Sequence, residues 1–213
     1  NNRRNAALNP KAVFTEPLIM EDYLSARMIS SPLCLFDCDV PVDASTAIIV
    51  SRAEVAKDLA SPIYLEAMGC ALHGQDSWDN YSPDLTEMAA HDAASAMWSQ
   101  TELTPADVET AQLYDGFSML ALSWIEALGF CKKGEARDFL QGGGNIARDG
   151  QLPLNTNGGQ LSGGRTHGFG YFYEAILQLK GEAGERQLGR QPRVAAVANG
   201  GGPLGSCFLL RTD

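Results

Sequence analysis

Hydrophobic positions along the chain follow two different spacings, and these spacings predict alternating helices and strands. Apolar residues three or four positions apart predict helices within residues 85–97, 117–128 and 172–179, with shorter helical turns at 20–24 and 52–59. Short runs of small and β-branched residues predict buried strands at residues 44–51, 62–73, 111–115, 194–198 and 207–210. Because helices and strands alternate, the sequence predicts an α/β layered fold.

Turn-forming residues punctuate this pattern. Thr104 followed by Pro105 and an acidic first turn predicts the start of a helix, and Gly129 predicts the end of the helix before it. Residues 76–83 are polar and predict a turn-rich loop. Glycine is frequent between residues 141 and 170, where apolar and polar side chains separate pairs and triplets of it. Glycine at this density marks tight turns and a close approach of the backbone to a ligand.

Composition narrows the classes of protein that fit. The chain has 213 residues, 45% hydrophobic residues and a net charge of −10, without a basic run that would predict a nucleic-acid-binding face. The sequence predicts no membrane span, because no apolar run approaches the roughly 20 residues that a span needs. It predicts no signal peptide, because no apolar segment follows the polar residues 1–4. The five cysteines are irregularly spaced and the chain has three histidines, so we expect no metal site and free thiols in a cytoplasmic protein.

Three motifs, taken in order, resemble the thiolase superfamily. Tyr114-Asp115-Gly116-Phe117 stands where these proteins carry Asn-Glu-Ala-Phe or His-Asp-Cys-Phe. Residues 155–168 resemble the family's Asn-x-x-Gly-Gly…Gly-His-Pro-x-Gly loop, and residues 198–202 resemble its Cys-x-Gly-Gly-Gly loop. Upstream, residues 21–43 resemble the branch of lipid-transfer and sterol-carrier-protein-x proteins.

The resemblance implies a fold of two similar halves stacked in five layers, αβαβα, of which this chain supplies mainly the C-terminal half. Residues 1–43 would be a remnant of a loop domain, residues 44–60 the last strand and helix of the N-terminal half, and residues 61–213 the C-terminal thiolase-like domain. The cysteine that accepts the acyl group in this family would then lie upstream of Asn1. Family members pair through their sheets, so a homodimer is expected.

The resemblance also implies the residues of the site. Tyr114, Arg165 and His167 are the candidate catalytic residues. Eight residues of the glycine-rich loops are candidates for binding the acyl-CoA substrate, whose coenzyme A is the only cofactor expected: Asn155, Gly158, Gly159, Ser162, Gly168, Gly200, Gly201 and Gly202.

Two departures from the family pattern bear on the chemistry. Arg165 and Ala198 stand where the family carries a histidine and a cysteine that handle protons in Claisen chemistry. Alanine cannot carry a proton, and arginine stays protonated, so it makes a poor base although it can stabilise an anion. Tyr114 resembles instead the aldolases of steroid side-chain degradation, which cleave a β-hydroxyacyl-CoA without a covalent intermediate. By that resemblance a second tyrosine is expected where Arg165 stands, and a small partner protein with an OB-like fold is implied.

Three functions therefore stay open. The first is retro-aldol cleavage of a β-hydroxyacyl-CoA with Tyr114 as acid and base. The second is a thiolase-type acyltransferase, with His167 covering the lost base. The third is a non-catalytic subunit that binds acyl-CoA or lipid. Simpler structural roles exist for the same residues: Tyr114 as a core residue, Gly200–Gly202 as a plain turn, and the pair Asp37 and Asp39 as loop-solvating or capping carboxylates.

Overall fold

The structure is a computed structural model that describes residues 1–56, 58–59, 61–73 and 86–212. The helices in these ranges are α1 (Asn2–Ala6), α2 (Met20–Ser25), α3 (Ala53–Ala56), α4 (Ala89–Trp98), α5 (Ser118–Ala127), α6 (Ala136–Leu140) and α7 (Phe169–Lys180). The strands are β1 (Met28–Ser30), β2 (Leu33–Cys34), β3 (Tyr64–Leu72), β4 (Thr110–Gln112), β5 (Val194–Gly200) and β6 (Leu204–Arg211). None of the helices in the described ranges has both the length and the apolar character that crossing a membrane requires.

A four-stranded mixed sheet forms the centre of the molecule, in the order β3-β6-β5-β4. β4 runs parallel to β5, whereas β6 is antiparallel to both β5 and β3. The α/β prediction is therefore confirmed. Because β4 and β5 are parallel, their carboxyl ends lie at one edge of the sheet, and the residues that follow each strand meet there.

Helices cover both faces of this sheet. Successive residues of β5 point to opposite faces, so Ala196 and Ala198 pack with α4 and α5, while Ala195 and Val197 pack under α7. Trp124 on α5 is fully buried on the first face. Complete burial of a large apolar side chain contributes about 1.5–3 kcal/mol relative to exposure. These contacts therefore hold the three layers together.

β3 confirms the strand predicted at residues 62–73, but it is an edge strand with one buried face. Ala67 and Gly69 face α4, and a Cβ on Gly69 would overlap the backbone of Ala93. Glycine at this position therefore lets the helix approach the strand closely. Leu65 and Leu72 are exposed on the strand.

Residues 44–51 do not form the buried strand that their composition predicts. They are irregular, and Ile49 and Val50 are 98% and 83% exposed. A strand needs a neighbour whose N–H and C=O groups pair with its own, and no described segment lies beside this one as a strand partner. Of the helix predicted at 52–59, the described residues include the helical turn α3 and, at 58–59, a non-helical turn; residue 57 lies outside the described residues.

The predicted helix start at Thr104 forms only a single 3₁₀ turn, Pro105–Asp107. The Asp107 carboxylate accepts hydrogen bonds from the N–H and the hydroxyl of Thr104, both at 2.7 Å. The chain then enters β4 at Thr110, which leaves no room for a second turn. The loop predicted at 76–83 and residue 85 of the next predicted helix lie outside the described residues.

Candidate functional site

The three glycine-containing motifs meet at the carboxyl ends of β4 and β5, and one upstream segment joins them. This segment, residues 37–41, is called the strap below. Asp39 N donates to Gly116 O at 3.1 Å, Val40 N donates to Gln160 O at 3.2 Å, and Arg165 N donates to Val40 O at 2.7 Å. The strap therefore lies between the loop that carries Tyr114 and the loop that carries Arg165, and its backbone aligns the two.

Tyr114 follows β4 and is half-buried at this edge. Its ring covers Gly116, where an added Cβ would lie 2.6 Å from the Tyr114 hydroxyl oxygen. Glycine is thus required there for the ring to take this position. Burial raises the pKa of Tyr114 above its usual value, the charge of Asp39 raises it further, and Arg165 partly offsets the rise. The phenol is therefore protonated at neutral pH and is available as a hydrogen-bond donor.

Asp39 and Arg165 form an ion pair beside Tyr114. Arg165 Nη1 lies 3.5 Å from Asp39 Oδ1, and the two side chains are 38% and 12% exposed, respectively. Burial raises the pKa of the Asp39 carboxyl, and electrostatic interactions with Arg165 and His167 oppose this rise. The guanidinium fits the predicted task of stabilising an anion, because its exposed part remains free to meet a ligand.

His167 lies on the same loop as Arg165 but is exposed, and its φ of 47° is in the left-handed region. Gly168 follows with a φ of 94°, and a Cβ there would lie 2.6 Å from Asn199 Cγ. Two successive left-handed residues therefore turn the chain sharply, and this turn brings Asn199 at the end of β5 against the loop. A non-glycine residue in this region of φ stores strain of about 1–3 kcal/mol.

The buried carboxylate of Asp115 holds the loop that carries Tyr114 in place through hydrogen bonds. Asp115 is 1% exposed and accepts hydrogen bonds from the Tyr171 hydroxyl, from the Asn2 side-chain amide, and from Gln160 N at 2.7 Å. Burial raises the pKa of Asp115 to about 6, although these hydrogen bonds oppose the shift. Asp115, the residue after Tyr114, thus connects α1, α7 and the glycine-rich loop (residues 155–168) by hydrogen bonds.

Other residues predicted to bind substrate already have partners within the protein. Both polar groups of the buried Asn155 side chain bond the backbone of Leu113, at 2.7 and 2.9 Å. The Ser162 hydroxyl accepts a hydrogen bond from Arg3 Nε at 3.2 Å. Such occupied groups shape the loop rather than point towards a ligand. Gly158 and Gly159, also predicted to bind substrate, likewise contact other atoms of the protein.

Gly158 and Gly159 are required by contacts within the chain. A Cβ on Gly158 would lie 2.6 Å from Ala6 Cβ, and one on Gly159 would overlap the Asp115 carboxylate. Both residues also have positive φ angles, 103° and 62°. The close backbone approach that the sequence predicts is therefore an approach to α1 and Asp115.

The loop Gly200–Gly202 forms a tight turn between β5 and β6. Gly201 N donates to Leu204 O at 2.9 Å, and the indole of Trp124 donates to Gly200 O, also at 2.9 Å. Ala198, just before the loop, is fully buried in the core. The turn is thus fixed from within the protein, and the position of the family's cysteine carries no titratable group.

The structure brings Tyr114, Arg165, His167 and Gly168 to the same edge of the sheet. Asp39 is the main addition, because its sequence pattern also fits loop solvation and only the strap's backbone bonds place it in the site. Two cavities of about 760 and 650 Å³ include neither Tyr114 nor Arg165, although the second is lined by Gly159, Gly163 and Gly164 of the glycine-rich loop. Within the described ranges, histidine, cysteine and acidic side chains form no cluster that would hold a metal ion.

Comparisons with known proteins agree with these motifs. The family model described as "Thiolase C-terminal domain-like" matches residues 73–210. The chain is 39% identical to a 17-hydroxy-3-oxo-4-pregnene-20-carboxyl-CoA lyase of Mycobacterium tuberculosis, over 97% of the chain and 54% of the relative. It is 36% identical to a steroid side-chain-cleaving aldolase of Thermomonospora curvata, again over 97% of the chain and 54% of the relative.

A solved structure named "Ltp2-ChsH2(DUF35) aldolase" matches the fold with a TM-score of 0.86 and 33% identity, over 100% of this chain and 56% of that one. The chain thus spans about half the length of the relatives it matches.

Proposed function

The chain belongs to the thiolase C-terminal domain-like family, and from that premise we propose that its protein cleaves a carbon–carbon bond of a β-hydroxyacyl-CoA by a retro-aldol reaction. The observation that carries the proposal is the position of Tyr114, which lies beside the ion pair of Asp39 and Arg165 where the family's motifs meet. At the position where the family carries a cysteine, the buried Ala198 supplies no group for proton transfer. Two relatives of similar sequence are named as a lyase and an aldolase, which supports the same reaction.

The proposed reaction moves one proton and breaks one bond. The β-hydroxyl group loses its proton by way of the Tyr114 hydroxyl, which gives up its own proton as it takes up that of the substrate, and the C–O bond becomes the carbonyl of the released product. The bond between the α and β carbons breaks, and its electron pair forms the enolate of the thioester. Arg165 stabilises the enolate oxygen. The α carbon then takes up a proton. No electrons leave the substrate, so no cofactor beyond its own coenzyme A is needed.

The names of the relatives also suggest a substrate and a partner. A bulky polycyclic acyl chain is the proposed substrate, because both relatives are named for steroid chemistry. The similar structure is named with two components, Ltp2 and ChsH2(DUF35). We therefore propose a partner protein of the second kind, and a homodimer of the thiolase-like subunit. The native mass of the purified assembly tests both.

The test is cleavage by the full-length protein and by its Tyr114→Phe variant. General acid–base groups contribute about 10²–10⁴-fold, so we expect the variant to lose at least about 100-fold in kcat. Tyr64→Phe is the matched control, because Tyr64 begins β3 and pairs with Arg211 at the far end of the sheet. We expect it to keep normal turnover.

Undiminished cleavage by Tyr114→Phe would contradict the proposed role of the tyrosine. Acyl transfer to free coenzyme A would favour the acyltransferase instead. Tight binding of acyl-CoA by the wild type without turnover would favour the non-catalytic subunit.

A further inference from the structure

The strap places one acidic side chain in the site that the retro-aldol reaction does not yet use. Asp39 N bonds Gly116 O, and the next residue bonds the glycine-rich loop on the other side. Its side chain is 12% exposed, so it is largely withdrawn from solvent and faces Arg165. A carboxylate held this way is costly to bury unless its charge has a use or a partner.

The neighbouring carboxylates of Asp37 and Asp115 each accept several hydrogen bonds, whereas the Asp39 carboxylate does not. Asp37 accepts from the Tyr23 and Ser118 hydroxyls and from Cys34 N, between 2.6 and 3.0 Å. Asp115 is similarly filled, as described above. Within the described ranges the Asp39 carboxylate makes the 3.5 Å ion pair with Arg165 and no shorter side-chain hydrogen bond. It thus retains acceptor capacity that the other two carboxylates lack.

Tyr114 has the opposite property. Its phenol is protonated at neutral pH, since burial and the charge of Asp39 raise its pKa. A protonated phenol takes up the β-hydroxyl proton only if its own proton leaves at the same time. Asp39 is close enough to be the acceptor of that proton, because its N–H bonds Gly116 O and the Tyr114 hydroxyl lies over the same Gly116.

We propose that Asp39 is the terminal proton acceptor of the cleavage step, receiving the phenol proton of Tyr114 directly or through one water molecule while Tyr114 takes the β-hydroxyl proton. This proposal rests on the proposed retro-aldol function. In the second half of the reaction the transfer reverses: Asp39 returns the proton to Tyr114, which passes its own to the α carbon of the enolate. The net change is one proton moved from the β oxygen to the α carbon.

Several charged groups surround Asp39 and set when it can act. Arg165 and His167 face it from the glycine-rich loop and favour its ionised form, while burial disfavours it. Tyr114 faces it from the end of β4. Asp37, also on the strap, adds a second negative charge nearby, because burial and then the charges of Asp37 and Asp39 raise the pKa of Cys38. Because burial raises the pKa of Asp39, we expect cleavage to fall as the pH drops and the carboxylate becomes protonated.

The experiment compares Asp39→Asn and Asp39→Glu with the full-length wild type, over a range of pH. We expect Asp39→Asn to lower kcat by about 100-fold or more with KM changed less than about threefold, and to lose the acid limb of the pH profile. Asp39→Glu should recover part of the rate and keep the limb. Asp43→Asn, an exposed carboxylate just beyond the strap, is the control and should behave as wild type.

A spectroscopic titration gives a readout that does not need turnover. The ultraviolet titration of Tyr114, obtained by subtracting that of Tyr114→Phe, should shift to a lower pH in Asp39→Asn, because the charge that raises its pKa is gone. An unshifted titration would overturn the proposal. So would a raised KM with an unchanged kcat and acid limb, which would mean that Asp39 only orients Arg165. If the wild type cleaves no β-hydroxyacyl-CoA while the titration still shifts, the proposed function fails, and the relay fails with it.

Discussion

Replacement of Tyr171 by phenylalanine tests whether the acid beneath the site is held by that residue. The hydroxyl of Tyr171 donates to Asp115 Oδ1 and accepts from Asp115 N, the latter at 3.2 Å. Hydrogen bonds to charged groups contribute about 1.5–3 kcal/mol, and loss of this one also leaves a buried N–H unpaired. We therefore expect Tyr171→Phe to lower the free energy of unfolding by about 2–3 kcal/mol at neutral pH.

The matched control lies two residues along the same helix. Tyr173 is 42% exposed, so Tyr173→Phe removes the same atom from a side chain in contact with water and should change stability by less than about 0.5 kcal/mol. For a protein of this size 1 kcal/mol corresponds to roughly 2–4 °C in Tm, so Tyr171→Phe should lower Tm by about 4–12 °C. Equal effects of the two variants in thermal or urea unfolding would refute the reasoning.

Three further predictions concern the buried hydrogen bonds and close contacts that support the site. The folded protein holds the Asp115 proton more tightly than the unfolded chain, with a pKa of about 6 against 3.8. This contribution to stability is complete below about pH 4 and falls by about 3 kcal/mol as the pH rises through 6. Urea unfolding of Asp115→Asn should lack this pH dependence. Gly159→Ala should destabilise by more than Gly184→Ala in the same assay, since both residues have nearly equal φ angles, 62° and 61°, but only Gly159 faces the Asp115 carboxylate; equal losses would contradict this. Trp124→Phe should lower the unfolding free energy by about 2–3 kcal/mol, because it loses the bond to Gly200 O and leaves a small cavity; an unchanged urea midpoint would show that this bond adds nothing.

Much of the fold is predictable because its signals are local. The helical spacing of Leu120, Trp124 and Leu128 predicts α5, which buries all three. The α/β class follows from the alternation of such segments. The thiolase-like fold, which the resemblance of the motifs implies, is confirmed by the family match and by the similar solved structure. Residues 44–51 show where local signals fail, because a strand depends on a neighbour that composition does not reveal.

The site was predictable only in part, for the same reason. Motif position identifies Tyr114 and Arg165, which lie close to the shared partner Asp39. Asp39 itself is 75 positions from Tyr114 in the sequence. Its position in the site depends on hydrogen bonds of the strap with two distant loops. Likewise, the amide of Asn155 fits an anion-binding role by its chemistry, but backbone partners occupy it in the fold.

The central claim is that the thioester of the substrate stays intact while its carbon chain is cleaved. Mass spectrometry of the acyl-CoA product, formed from a β-hydroxyacyl-CoA in the presence of isotopically labelled free coenzyme A, tests this most directly. Retro-aldol cleavage predicts a shortened acyl-CoA that keeps the original, unlabelled coenzyme A, together with one equivalent of the carbonyl product. Appearance of the uncleaved acyl chain on labelled coenzyme A, without the carbonyl product, would contradict the account and would show acyl transfer instead.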